Sequence, residues 1–211
     1  GWSLKNLHRL ILRSSTWRMS SQFDRAKFAK DAQNRMLWRQ NPRKLEVEAW
    51  RDSLLFVSGD LNLTMGGAPF DDLTSEAPEL RRRTLYAKTS RNGDKFKSDR
   101  FLQLFDFPAP RSSIARRVPT ITPQQSLFVL NHPFAMNRAR SLAKRMEAAA
   151  TDLPGRVAFA YETLFARLPT KDESTVAATY LDPSQTENQG LTRLERYAQA
   201  LLASNEFFFV E

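Results

Sequence analysis

Cysteine is missing from all 211 residues. Its absence removes disulfides, thiolate nucleophiles, cysteine-based zinc sites and the C-x-x-C-H attachment of c-type haem together. Histidine is nearly as scarce, with only His8 and His132 far apart in sequence, so constellations that need several imidazoles are excluded while a His–carboxylate pair is not. Glycine-rich phosphate loops are also missing: MGGAPF has neither the spacing nor the following Lys-Ser/Thr. There is no G-x-S-x-G, and so no support for a serine-hydrolase elbow. No apolar run approaches the roughly 18 residues needed to span a bilayer. The opening GWSLKNLHRL has neither an initiator Met nor a signal-peptide core, and it begins inside an apparent helix, as an excised piece of a longer protein would.

What is present is ample for a core, since 41% of the residues are hydrophobic, enough for one large domain or two small ones packed together. Lys and Arg total 32 against 23 Asp and Glu, a net charge of +9 with a pI near 10.2. Anionic partners therefore fit electrostatically, and the sign alone does not choose among nucleic acid, acidic polysaccharide, a membrane surface or an acidic neighbouring domain.

Leu4, Leu7 and Ile11 recur at helical spacing, so the segment from Trp2 to Ser15 reads as an amphipathic helix, followed by the polar connector SSTWRMSSQFD. A second helix is expected from Asn41 as N-cap and Pro42 at the first helical position, ending at Gly59. Between Asp60 and Pro123 the helix signals fade among prolines and Gly66-Gly67. There RTLYAKTSR, followed by Asn92-Gly93, predicts a strand entering a turn, and FLQLFDF fits either a short helix or a strand. The last ninety residues carry S/T-x-x-E/Q patterns at Thr122, Thr170 and Thr192, and prolines at 123, 133 and 154 suited to helix entries; five helices are expected after residue 120. The fold class is thus mainly α, a multi-helix orthogonal-type bundle with a small β hairpin or short sheet in the middle third. It reads as a single domain over 1–211: N-terminal helices 2–59, an irregular insert 60–120 and a helical part 121–211.

The stretch NRMLWRQNPRKLEVEAWRDSLLFVSG (34–59) sets charges among apolar residues. On a wheel starting at Leu45, Glu46 at roughly 100° and Arg43 at roughly 160° fall inside the apolar arc, three residues apart. Trp38 and Arg39 precede the expected helix and Arg51 and Asp52 lie on it, so Trp38, Arg39, Arg43, Glu46, Arg51 and Asp52 form a candidate charged network. An ion pair that fixes how the helix docks is favoured over a ligand site. Glu46 and Asp52 as an acid/base pair for glycoside hydrolysis is disfavoured, because six residues put them about 120° out of phase.

Among the basic clusters, Arg81, Arg82, Arg83, Arg116 and Arg117 lie in less regular segments and are the candidate anion contacts, with intramolecular pairing the favoured alternative. Arg138, Arg140, Lys144 and Arg145 flank an apolar stripe of Ala135, Ala139, Leu142, Ala143 and Met146, as on a solvated helix. The four Trp and fifteen Phe read as core, with Phe207 to Phe209 packing the C-terminus down. His8 and His132 read as hydrogen-bonded structural histidines. No nucleic-acid motif accompanies the charge.

Five blocks taken together resemble a known family: WSLKNLHRLILRSSTWRMSS, NRMLWRQNPRKLEVEAWRDSLLFVSG, FLQLFDFPAPRSSIARRVPTITPQQSLFVLNHPF, YETLFARLPTKDE and LLASNEFFFVE. In order, and over nearly the whole chain, they are similar to the planctomycete-type C-terminal domain of unknown function found in secreted, cytochrome-c-associated proteins. The resemblance implies a secreted or periplasmic parent in bacteria rich in polysaccharide-degrading systems, with haem carried elsewhere in that parent and no cofactor in this domain. It implies no catalytic residues. The expectation is a non-catalytic accessory or interaction domain docking to neighbouring domains or an anionic polysaccharide. The alternatives are part of an enzyme acting on carbohydrate in a redox or hydrolytic system, and nucleic-acid binding through the basic surface.

Overall fold

Local capping decides where most of the helices begin. The computed structural model describes residues 1–182 and 190–210, and its elements run in order α1 (Leu4–Arg13), α2 (Arg25–Lys30), β1 (Arg43–Lys44), α3 (Val47–Val57), α4 (Lys97–Leu104), α5 (Pro123–Asn131), α6 (Pro133–Ala149), α7 (Leu153–Phe165), α8 (Lys171–Tyr180), α9 (Arg193–Leu202), α10 (Asn205–Phe208) and β2 (Phe209–Val210). Side-chain oxygens of Ser3, Asp24, Thr122, Asp152, Thr170 and Thr192 accept backbone N–H groups in the first turns of α1, α2, α5, α7, α8 and α9. Thr170 with Glu173, and Thr192 with Glu195, complete reciprocal capping boxes. Pro123 and Pro133 occupy first helical positions, and His132 separates the two helices. The fold is mainly helical, and the five helices expected after residue 120 are followed by the four-residue α10. FLQLFDF takes its helical alternative, as the end of α4.

Two expectations in the first half are corrected. The helix expected from Asn41 starts at Val47, with Glu46 at the N-cap position. The backbone of Arg43 and Lys44 pairs instead with Val210 and Phe209, forming a two-stranded antiparallel sheet, while Asn41 accepts a hydrogen bond from the Asn34 side chain (3.1 Å). Gly59 ends the helix as expected, with φ +77°. The small sheet therefore joins distant segments rather than forming in the middle third. RTLYAKTSR (83–91) holds a 3₁₀ turn at Thr84–Tyr86 and an isolated bridge from Ala87 to Phe70, and the residue before it, Arg82, makes a second isolated bridge to Asn62. Alternation of β-branched and aromatic residues was outweighed there by the carboxylate of Asp52, which accepts from the Thr84 N–H at 2.7 Å.

The chain divides into two units, Gly1–Lys44 with Phe209–Val210, and Leu45–Phe208. In the first unit Trp38 donates to the Asp31 carbonyl (2.9 Å), and its ring meets Phe23, which also packs on Phe28. Asn34 is the one fully buried side chain in residues 1–44. The second unit holds the hydrophobic core. α6 is its central helix and packs on α5, α7 and α9 through Ala139, Leu142, Ala143 and Met146. Trp50 of α3 sits between the rings of Phe105 and Phe208, at 4.4 and 5.1 Å between centroids. Phe207 is also buried, so the end of this unit is packed down as the aromatic run predicts. Arg145 of α6 donates to the Val57 and Phe56 carbonyls at the end of α3, satisfying acceptors that a helix terminus leaves free. Among the described residues, no helix is long and apolar enough to cross a membrane.

Candidate functional site

The most deeply buried charge is Arg51, whose position on the inward face of α3 leaves it 0% exposed. Its Nε donates to the Leu73 carbonyl (2.8 Å), and one terminal nitrogen donates to the Arg82 carbonyl (2.9 Å) and to Thr84 Oγ1 (3.2 Å). The other reaches the Leu80 carbonyl at 3.4 Å. The guanidinium lies 5.7 Å from the ring centroids of both Phe70 and Phe134. Burial pulls its pKa down to about 10, against the pull of Asp52, so it stays charged. Asp52 lies 3.8 Å from Arg51, accepts from the N–H and hydroxyl of Thr84 (both 2.7 Å), and meets Arg83 at 3.4 Å. Arg51 and Asp52 therefore staple the irregular segment 72–84 to α3.

A second buried arginine was not anticipated. Arg138, read from the wheel as a solvated flank, is 1% exposed. It pairs with Asp60 (2.8 Å) and Glu76, and Asp60 also binds Arg81 (2.6 Å), so Arg81, Asp60, Arg138 and Glu76 form one alternating row of charge. Burial lowers the pKa of Arg138, while Asp60 and Glu76 raise it. A third cluster lies at the far end of α7, where Arg167 makes paired hydrogen bonds to Glu173 (both 2.8 Å) and to Glu206 (2.7 and 2.8 Å). The Arg167 hydrogen bonds pull Glu173 down to about 2.

The six residues of the expected network divide between the two units. Trp38, Arg39 and Arg43 belong to the first unit and Glu46, Arg51 and Asp52 to the second. Arg39 lies over the Trp38 ring, 5.0 Å from its centroid, and over Phe23 at 5.5 Å. Arg43 is exposed on β1. The expected helical pairing of Arg43 with Glu46 has no basis, because both residues precede α3. Glu46 is exposed and meets Arg117 at 3.3 Å, and Arg117 is held mainly by Glu48 through two bonds of 2.6 and 2.8 Å. Burial tends to raise the Glu48 carboxyl, but Arg117 outweighs it and the net shift is downward.

Of the candidate anion contacts, Arg81, Arg83 and Arg117 are thus paired with carboxylates. Arg82 donates to the Ala68 carbonyl (3.0 Å) and to Gly66, with its guanidinium 4.1 Å from the Tyr86 centroid. Arg116 is exposed. The exposed cations Arg91 and Lys95 flank the Asn92-Gly93 turn together with the exposed Asp94, and Arg111 donates to Asn92 there (2.6 Å). His132 is half-buried, stacked on Phe128 at 4.3 Å, and its Nδ1 accepts the Phe134 N–H (3.2 Å) as the N-cap of α6. His8 is exposed on α1. Among the described residues, no three His, Cys, Asp or Glu side chains are grouped as a metal site. A shallow surface depression on α8 is lined by Thr175, Val176, Thr179 and Tyr180.

One family model, described as PSD1, protein of unknown function (DUF1553), matches residues 1–181. No curated protein and no solved structure matches the chain.

Proposed function

The chain belongs to the PSD1 family of proteins of unknown function, and on that premise we propose that it is a non-catalytic docking domain of an extracytoplasmic, cytochrome-c-associated protein, with haem carried elsewhere in that parent. The observation that carries this reading is how the deeply buried arginines are used. Arg51 donates to backbone carbonyls of the chain and Arg138 is ion-paired with Asp60 and Glu76, where both fix loops to helices, although Arg138 Nε makes no hydrogen bond among the described residues. A catalytic or anion-binding arginine instead keeps donors directed at the place its ligand occupies. Exposed cations around Asn92-Gly93, namely Arg91, Lys95 and Arg111, favour an anionic polysaccharide as a second partner.

The test is to mix the chain with the remaining domains of its parent and measure the mass of the species by light scattering after gel filtration. A one-to-one complex is expected. Separate elution, together with no salt-dependent retention on a sulfated or uronic polysaccharide, contradicts the proposal.

A further inference from the structure

α1 is a helix without a core. Ser3 caps its start, yet none of its ten residues is buried, and Leu4, Leu7, Leu10, Ile11 and Leu12 are 43–72% exposed. At 100° per residue these positions span an arc of roughly 200° from Leu10 round to Leu12, broken by the one polar residue His8. The remaining face carries Lys5, Arg9 and Arg13, four residues apart in one ridge. No Asp or Glu occurs before Asp24, and Trp2 and Trp17 lie exposed just beyond the two ends of the helix. A ten-residue helix is marginal in water by itself, below the roughly 12–15 residues at which isolated helices begin to hold. An apolar face of this extent on a protein surface marks an interaction site.

We propose that α1 is a docking helix that lies in an apolar groove rimmed by carboxylates on a partner protein. This deepens the docking reading above and rests on it. An apolar arc wider than half the helix circumference is covered by a floor and two walls, whereas a flat lipid surface covers one side. With the arc inside the groove, the basic ridge stands at its mouth, where Lys5, Arg9 and Arg13 reach back along their aliphatic stems to acids on either rim. The lack of any acid in residues 1–23 means that nothing on this segment repels such a rim.

Because the chain has no cysteine, a single Leu12→Cys substitution in the full chain accepts an environment-sensitive fluorophore at the edge of the arc. The labelled chain is titrated with the remaining domains of the parent protein and, separately, with phosphatidylcholine–phosphatidylglycerol vesicles. A blue shift with the parent domains is expected. Leu7→Asp with Ile11→Asp, in a chain of unchanged circular dichroism, weakens it at least about tenfold. Arg9→Glu with Arg13→Glu also weakens it and flattens its dependence on salt. A shift with vesicles alone overturns the proposal in favour of a lipid surface. Complex formation by gel filtration without a shift, and untouched by Leu7→Asp with Ile11→Asp, overturns it while leaving the docking reading standing. Absence of any complex sinks both.

Discussion

Replacing Arg51 by methionine tests whether the buried arginines are structural staples. The substitution keeps much of the aliphatic volume and removes the guanidinium. Its main acceptors are the backbone carbonyls of Leu73 and Arg82, which no relaxation of side chains can remove. Thr84 Oγ1 keeps its bond to Asp52, and the 3.4 Å contact to Leu80 is too long to count fully. Each stranded buried carbonyl costs about 1–3 kcal/mol, so two give roughly 2–6, and the regained apolar contact of the methionine lowers the expected loss to about 1–5 kcal/mol. Replacing a buried ion pair as a unit by apolar groups is often neutral. Here the partners stay behind, which is why a loss is expected. At its upper end it would be a third or more of the roughly 5–15 kcal/mol that holds a domain together. Arg51→Lys, with a single ammonium in place of the fork, is expected to lose about 1–3 kcal/mol. The assay is urea unfolding followed by tryptophan fluorescence, in which Trp50 on the same helix is buried and reports directly. A loss under about 1 kcal/mol for Arg51→Met at unchanged slope would refute the staple.

Three further outcomes follow from the same geometry. Burial lowers the His132 pKa below 6.5, although Asp72 and Glu76 pull the other way, and its Nδ1 must be unprotonated to cap α6. The unfolded chain therefore takes up the proton first, so stability is full above pH 6.5 and falls as pH drops through that value; His132→Asn, a cap that does not titrate, should remove this slope in melts at pH 7.5 and about 5.5. Glu173, held near 2 by Arg167 against an ordinary 4.5, contributes stability that is present above pH 4.5 and lost as pH falls towards 2; Glu173→Gln should cost about 1–2 kcal/mol at neutral pH and flatten the acid limb of thermal melts. Gly59→Ala should cost about 1–2 kcal/mol by urea unfolding, because φ is +77° and the new Cβ would stand 3.1 Å from Arg145 Cδ.

What could be read from the sequence was local. The caps at Thr170 and Thr192 lie within four residues of the groups they satisfy, and both formed as written. The Asn41-Pro42 start was an equally good local signal and failed, because Arg43 and Lys44 find their backbone partners in Phe209 and Val210, at the other end of the chain. Once the helix start moved to Val47, the wheel that paired Arg43 with Glu46 had no helix under it. Arg138 shows the same limit: its flank position is typical of solvent, and its burial depends on Glu76, 62 residues away, and on Asp60. Arg51 and Asp52 stand out in the sequence as charges needing partners, and their partners are backbone atoms and a threonine of an irregular segment, which no spacing pattern announces.

Residues 1–44 hold one buried side chain, Asn34, while the core belongs to Leu45–Phe208. A docking role requires that this segment gain its order from a partner. Hydrogen–deuterium exchange on the isolated chain and on the chain bound to the remaining domains of its parent reads this directly. The α1 amides are expected to exchange within seconds alone and to be protected at least about a hundredfold in the complex, with α6 protected in both. Strong protection of α1 in the isolated chain, or none in the complex, would contradict the docking role.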